Sequence, residues 1–363
     1  MSPIPYFCEL QLINMINNLS PKKEILLNFL KNKEAVSSKE IHEGLEVDIS
    51  YATVKRLLQE LIAEQLVTTK GAGKSTKYNI SSAYELLMPI DVEAYYQLEI
   101  DERIIKNRFN HALLTEIITK VNVFSLQEMN YLNQLQAIYK ENIKTLLPTQ
   151  YKLELERLAI DLSWKSAQIE GNTYSLLETE RLLKEKQTAS GKTKEEAIML
   201  WNHKDALDFI ISNPDYVNSL NVKVIEDIHS LLMKDLNVER NIRTRRIGIT
   251  GTNYKPLENE FQIKEALERS CEIINQEKNV FVKAFWSLML LSYIQAFNDG
   301  NKRTARIVSN AILINNNYCP ISFRTVDAIE YKKAMLLFYE QNNISAFKKI
   351  FINQFEFAVH TYF

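Results

Sequence analysis

Glycine and proline are scarce, eight of each in 363 residues. That scarcity disfavours a turn-rich all-β protein and leaves a mainly α fold as the expectation. Cysteine is scarcer still. Cys8, Cys271 and Cys319 are an odd, widely spaced set with no CxxC pair and no Cys/His cluster at zinc spacing. They exclude a disulfide framework and point to reduced thiols in a cytoplasmic setting. Neither charge dominates: 44 basic side chains face 45 acidic ones, a net charge of -1. A globally basic nucleic-acid binder is excluded, whereas a local basic patch is not. Long apolar runs are also missing. The most apolar stretches, 280–285 and 288–291, are too short for a membrane span. Near the N-terminus no basic segment precedes an apolar one, so no secretory signal is expected. Aromatic and aliphatic side chains, by contrast, are plentiful. With 17 Tyr, 16 Phe and 46% apolar residues the chain can fill more than one packed core.

Three helical patterns open the chain after a short lead-in. Pro21 begins KKEILLNFL, with Ile25, Leu26, Phe29 and Leu30 on one face. Ser37-Ser38 caps KEIHEGL, and Asp48 or Ser50 caps SYATVKRLLQELIAEQLV. VTTKGAGKSTKYNIS then reads as strand, glycine turn, strand. This order is that of a winged helix-turn-helix. Residues 1–85 are assigned to it, 86–150 to a helical connector and 151–363 to a second, strongly helical domain. Within 50–80 the basic residues Lys55, Arg56, Lys70, Lys74 and Lys77 face only Glu60 and Glu64. Ser50, Tyr51, Thr53 and Arg56 at the start of the third helix, with Lys74 on the wing, are the candidate DNA contacts. A wing used for protein interaction explains the same residues, and both readings stay open.

The most informative segment is QAFNDGNKRTAR, residues 295–306. A buried helical pattern ends before it and another begins inside it. Gly300 and Asn301 therefore sit at a helix N-terminus, where unpaired backbone N–H groups and the helix dipole favour an anion. Arg303 and Arg306, three apart, share a helix face, Lys302 adds charge, and Asp299 is an oxygen ligand suited to Mg²⁺ on phosphates. An anion nest, two arginines and a carboxylate suit a di- or triphosphate.

This segment resembles the signature of the Fic (filamentation induced by cAMP) family, H-x-F-x-[D/E]-G-N-[G/K]-R-x-x-R. It matches at Phe297, Asp299, Gly300, Asn301, Lys302, Arg303 and Arg306. The resemblance implies AMP transfer from Mg-ATP to a hydroxyl of a target protein. It implies Asp299 on the metal, Gly300 to Arg303 on the phosphates, and Arg306 on the γ-phosphate. One position departs. The family's His, the general base, is here Gln295, which cannot accept a proton, so binding is expected to persist and transfer to be impaired. Whether the chain is an active enzyme stays open on sequence grounds. His229 in EDIHSLL is a second, weaker base candidate, read more readily as a core residue.

Residues 166–172, SAQIEGN, resemble the family's inhibitory motif at Ser166, Glu170 and Gly171. The resemblance implies that Glu170 occupies Arg306 and so autoinhibits. NIRTRRIGITGTNYKPL, 241–257, alternates β-branched residues around Gly248 and Gly251. It suggests a β-hairpin like the family flap, with Ile249, Thr250 and Gly251 as its target-docking edge. Tyr331, with Tyr339 two turns on, is a candidate base-stacking residue. The alternative function is a DNA-binding transcriptional regulator with a degenerate nucleotide-sensing core. The target protein, the nucleotide preference and the oligomeric state, a homodimer included, are open.

Overall fold

The computed structural model describes residues 20–363, without the side chain of Lys74; Cys8 and the lead-in lie outside the described residues. The fold is mainly α, in two compact units. One runs to Asp91 and includes Val121–Ser125; the other comprises Val92–Lys120 and Leu126–Phe363.

In the first unit, α1 (Pro21–Lys31) starts where the Ser20 side chain caps it and Pro21 needs no N–H partner. Helix α2 (Ser38–Gly44) starts with a capping box between Ser37 and Glu40. Helix α3 (Tyr51–Ala63) is capped by Ser50 and buries Val54, Leu57, Leu58 and Leu61. It stops several residues before the sequence pattern suggested, because Leu66 and Val67 pack inward at the start of a strand. Strands β1 (Val67–Lys70) and β2 (Lys77–Ile80) pair antiparallel, from Val67↔Ile80 to Lys70↔Lys77, and Val36 bridges to Tyr78 on the other edge. A last turn, α4 (Tyr84–Leu87), completes three helices and a wing.

The second unit contains α5 (Val92–Gln97), α6 (Leu126–Thr145), α7 (Pro148–Ile169), α8 (Leu176–Glu185), α9 (Lys194–Ser212), α10 (Val222–Leu232), α11 (Glu260–Gln276), α12 (Val280–Ile294), α13 (Asn301–Asn315), α14 (Ala328–Gln341) and α15 (Ser345–Tyr362). Helix α12 is its axis. Every residue from Ala284 to Ile294 is buried, as expected of a helix apolar on all sides. Helix α13 packs along it, and Ser309 Oγ of α13 donates to the Ala284 carbonyl of α12 at 2.8 Å. The six residues joining these two helices, 295–300, carry the signature segment.

Among the described residues the wing is the one paired sheet, so the hairpin expected at 241–257 does not form. The reason lies in its partners. The Arg243 N–H donates to the Ala296 carbonyl at 3.0 Å, and the Lys255 N–H donates to the Asn107 carbonyl at 3.0 Å. The backbone N–H groups of Arg243 and Lys255 find their partners on the body of the unit, not on the backbone of the opposite arm. The segment is a loop turning at Thr250-Gly251, where Gly251 has φ +90.

Candidate functional site

The turn between α12 and α13 is built from two left-handed residues. Gln295 caps α12 at φ 53, ψ 55, and Gly300 begins α13 at φ 80. The left-handed backbone favours glycine at 300, and a Cβ there would lie 2.6 Å from Met233 Cε, the end of a side chain that would have to shift. Asn301 staples the turn shut: its Oδ1 accepts from the Phe297 N–H at 2.8 Å and its Nδ2 donates to the Phe297 carbonyl at 2.7 Å. Beneath the turn, His229 stacks on Phe297 with ring centroids 3.7 Å apart. Its Nδ1 faces the Arg240 carbonyl at 3.2 Å and its Nε2 the Asp299 carbonyl at 2.9 Å. Burial lowers its pKa, and the neutral ring, with one N–H, can donate to only one of the two carbonyls it faces. His229 is a structural support of the loop, not a free base.

A cavity of about 380 Å³ opens over this turn. Its floor is Gln295 and 298–302; its walls are Ile169 and Glu170 from the end of α7, residues 247–250 from the loop, and Lys332, Met335, Leu336 and Tyr339 of α14. The sequence-predicted phosphate residues Gly300, Asn301 and Lys302, the carboxylate Asp299, and Ile249 and Thr250 therefore share one space. Tyr331 does not reach it. The Tyr331 ring is wholly buried behind the site, 5.2 Å from the Arg306 guanidinium and edge-on to Phe323 and Phe347. The aromatic on the cavity wall is Tyr339, two turns later on the adjoining face of α14.

Both cationic ends of the motif are already engaged. Arg306 is fully buried. Its Nε donates to Ser166 Oγ at 2.9 Å, and one terminal nitrogen donates to the Ser166 carbonyl at 3.1 Å and to Glu170 Oε1 at 2.8 Å. Lys302 Nζ lies 3.0 Å from the other oxygen, Glu170 Oε2. The Glu170 carboxylate thus bridges the two cations. It can do so because α7 ends there: Glu170 is the C-cap and Gly171, at φ +102, turns the chain away. Burial works to raise the Glu170 pKa, but Arg306 and Lys302 overcome it and hold the carboxyl at about 2, below its ordinary 4.5. The ionised pair therefore stabilises the fold above about pH 4.5, and this contribution is lost as pH falls toward 2. Arg303, buried, donates to Asp299 Oδ2 at 2.7 Å, while Asp299 Oδ1 accepts from the Gly300 N–H at 2.6 Å.

Gln295 is held by its neighbours. Its Nε2 donates to the Ser292 carbonyl at 2.6 Å and contacts Tyr339 Oη at 3.3 Å, and its Oε1 accepts from Asn301 Nδ2 at 3.3 Å. Its backbone carbonyl accepts from Arg243 Nε at 2.7 Å. Arg243 is a residue that sequence reasoning missed. Buried, it also donates to the Arg245 and Leu257 carbonyls, tying both arms of the loop to the end of α12. Arg103 was missed as well. Its NH2 donates to the Gly251 carbonyl at 3.0 Å and its NH1 to both oxygens of the fully buried Glu340 at 3.1 and 3.2 Å. Neither arginine sits in a local pattern that marks it.

In the first unit, the candidate DNA contacts are partly committed. Ser50 Oγ caps α3 and bonds Thr53 Oγ1 at 2.9 Å, and Arg56 pairs with Glu60. Tyr51 is exposed, bonded to Ser38 Oγ at 2.9 Å. The Lys74 side chain lies outside the described residues.

Residues 219–313 match the Fic/DOC family, and residues 19–89 match the penicillinase repressor family. The protein adenylyltransferase Fic of Nematostella vectensis is 26% identical over 172 residues, 46% of this chain and 40% of its own length. That of Culex quinquefasciatus is 26% identical over 166 residues, 44% of this chain and 32% of its own. The chain thus spans less than half the length of these relatives. Among solved structures, Fic-1 from C. elegans superposes with a TM-score of 0.57 at 20% identity, over 65% of this chain and 72% of that one. A Fic domain protein from Bacteroides thetaiotaomicron gives 0.55 at 18%, over 63% and 94%. Among the described residues no helix is long and apolar enough to cross a membrane, and no cluster of three metal-binding side chains occurs.

Proposed function

Because this chain carries a Fic domain together with a winged-helix unit, we propose that it is a nucleotide-binding protein of the adenylyltransferase kind, braked by Glu170 and slowed in transfer by Gln295. One observation carries the reading: the Glu170 carboxylate sits on Arg306 and Lys302, where the polyphosphate of ATP would sit. A single exposed carboxylate, Asp299, beside an anion nest is the donor set a phosphate-bound Mg²⁺ uses, since that ion keeps waters and takes one or two carboxylates. Asp299 would leave Arg303 to hold it, and the ion would supply charge neutralisation between phosphates.

In the reaction, a target hydroxyl oxygen bonds to the α-phosphorus, the bond to the β-phosphate oxygen breaks, and pyrophosphate leaves. The N–H groups at Gly300 to Lys302 orient the phosphates, and Arg303 and Arg306 balance their charge. The hydroxyl proton needs an acceptor. Gln295 offers a carboxamide, already hydrogen-bonded, in place of a base. General-base assistance is worth about 10²–10⁴ in rate. The loop at 247–251 would receive the target segment by its exposed backbone edge. A cytoplasmic location, read from the few cysteines, completes the proposal.

The test is titration of Mg-ATP into the protein and its Glu170→Gly variant, followed by AMP transfer from labelled ATP with Gln295→His. Tighter ATP binding in Glu170→Gly and about 10²–10⁴ faster transfer with the added Gln295→His support the reading. Absence of ATP binding in both forms sinks it.

A second reading has its own support. The match of residues 19–89 to a repressor family favours DNA binding by the first unit, with the nucleotide site as a sensor. A salt-dependent shift of DNA by the full chain supports this reading, and no binding at low salt rejects it.

A further inference from the structure

Four cations stand at or just behind the cavity: Lys302, Arg303, Arg306 and Lys332. Three are spoken for. Lys302 and Arg306 share the Glu170 carboxylate, and Arg303 holds Asp299. Lys332 is exposed, lines the cavity, and among the described residues has no hydrogen-bond or ion-pair partner. Its neighbour Lys333, by contrast, is paired with Glu93. The placement of Lys332 is not incidental. Lys332, Met335, Leu336 and Tyr339 recur at helical spacing, and all four form the α14 wall. That wall is thus an apolar strip with a free ammonium at one end and Tyr339, beside Gln295, at the other.

We infer that Lys332 is the anion-capturing residue of the braked site: it binds an anionic group of an incoming nucleotide while Glu170 still occupies Arg306 and Lys302. The inference rests on the proposed nucleotide function and adds an order of events. With the brake closed, the Glu170 and Asp299 carboxylates hold all three motif cations in ion pairs, and a polyphosphate entering the cavity meets Lys332 as the cation without a carboxylate partner. With the brake removed, Lys302 and Arg306 become available and the contribution of Lys332 is diluted. Lys332 therefore matters most in the form with least affinity.

The experiment uses calorimetric titration of ADP and, separately, adenosine into the full chain, Lys332→Gln, Glu170→Gly and the double variant. Lys332 is exposed and unpaired, so its replacement leaves the fold intact, which thermal unfolding verifies. Expected is a roughly tenfold loss of ADP affinity in Lys332→Gln, a loss below about threefold when Glu170→Gly is also present, and unchanged adenosine binding. Lys332→Arg restores ADP affinity. Higher salt narrows the gap between wild type and Lys332→Gln. Equal ADP affinities with and without Lys332, or an equal loss for ADP and adenosine, overturn the assignment while leaving the nucleotide site standing. Failure of every form, Glu170→Gly included, to bind ADP overturns the nucleotide function and this assignment with it.

Discussion

Two loops face each other across the cavity, and they are made in opposite ways. The loop at 295–300 is local. Its shape comes from the end of one helix and the start of the next, from Asn301 bonding back to Phe297, and from a glycine at φ 80. The loop at 241–257 is held from far away. Arg103 grips its turn, Asn107 takes the Lys255 N–H, and Arg243 fastens its arms to the end of α12. A locally built loop repeats as a sequence motif because its geometry needs particular neighbours. A remotely held loop leaves no contiguous motif: a scattered anchor such as the buried Arg243 is fixed, and the exposed positions between the anchors are not. The difference suits their proposed work, since phosphate is the same in every nucleotide and target segments differ.

The largest effect that separates the two is expected at Arg103. Arg103→Ala leaves the fully buried Glu340 carboxylate without its cation, at a cost of about 3–5 kcal/mol. Hydrogen exchange should then show residues 247–254 loosened while 296–304 keep their protection; equal loosening of both loops would end the distinction. Adding Glu340→Gln should recover part of the stability. A smaller effect, in the opposite place, is expected at Gly300→Ala. The backbone strain at φ 80 and the approach to Met233 cost about 1–2 kcal/mol. Thermal unfolding measures the cost, and ADP binding should weaken with the 247–254 protection unchanged. Thr250→Ala should have the least effect of all. Its exposed side chain holds nothing in the loop, so stability should stay within about 0.5 kcal/mol. A larger loss would mean that the loop is built by its own side chains.

The same contrast explains what could be read before the structure. The turn at 295–300, the pairing of Glu170 with Arg306 and the winged helix were legible because each is written in neighbouring residues: DGNKR, SAQIEGN, and capping serines before apolar repeats. The hairpin at 241–257 was misread because alternation around Gly248 and Gly251 looks like paired strands, whereas pairing depends on where each N–H finds its partner. Tyr331 was offered as a base-stacking residue because helical spacing does not reveal which of two adjacent faces turns inward; its buried ring lies against the Arg306 guanidinium and does not line the cavity. Arg103, Arg243 and Lys332 were invisible for one reason. Their partners, or in the last case the lack of any, are set by segments remote in sequence.

Gln295 holds a left-handed conformation that non-glycine residues seldom adopt, and histidine is among those found there more often. Glutamine and histidine codons differ at one base. A single mutation could therefore return an imidazole to this position without asking the backbone to move. The turn already holds the backbone conformation that an imidazole at this position would need.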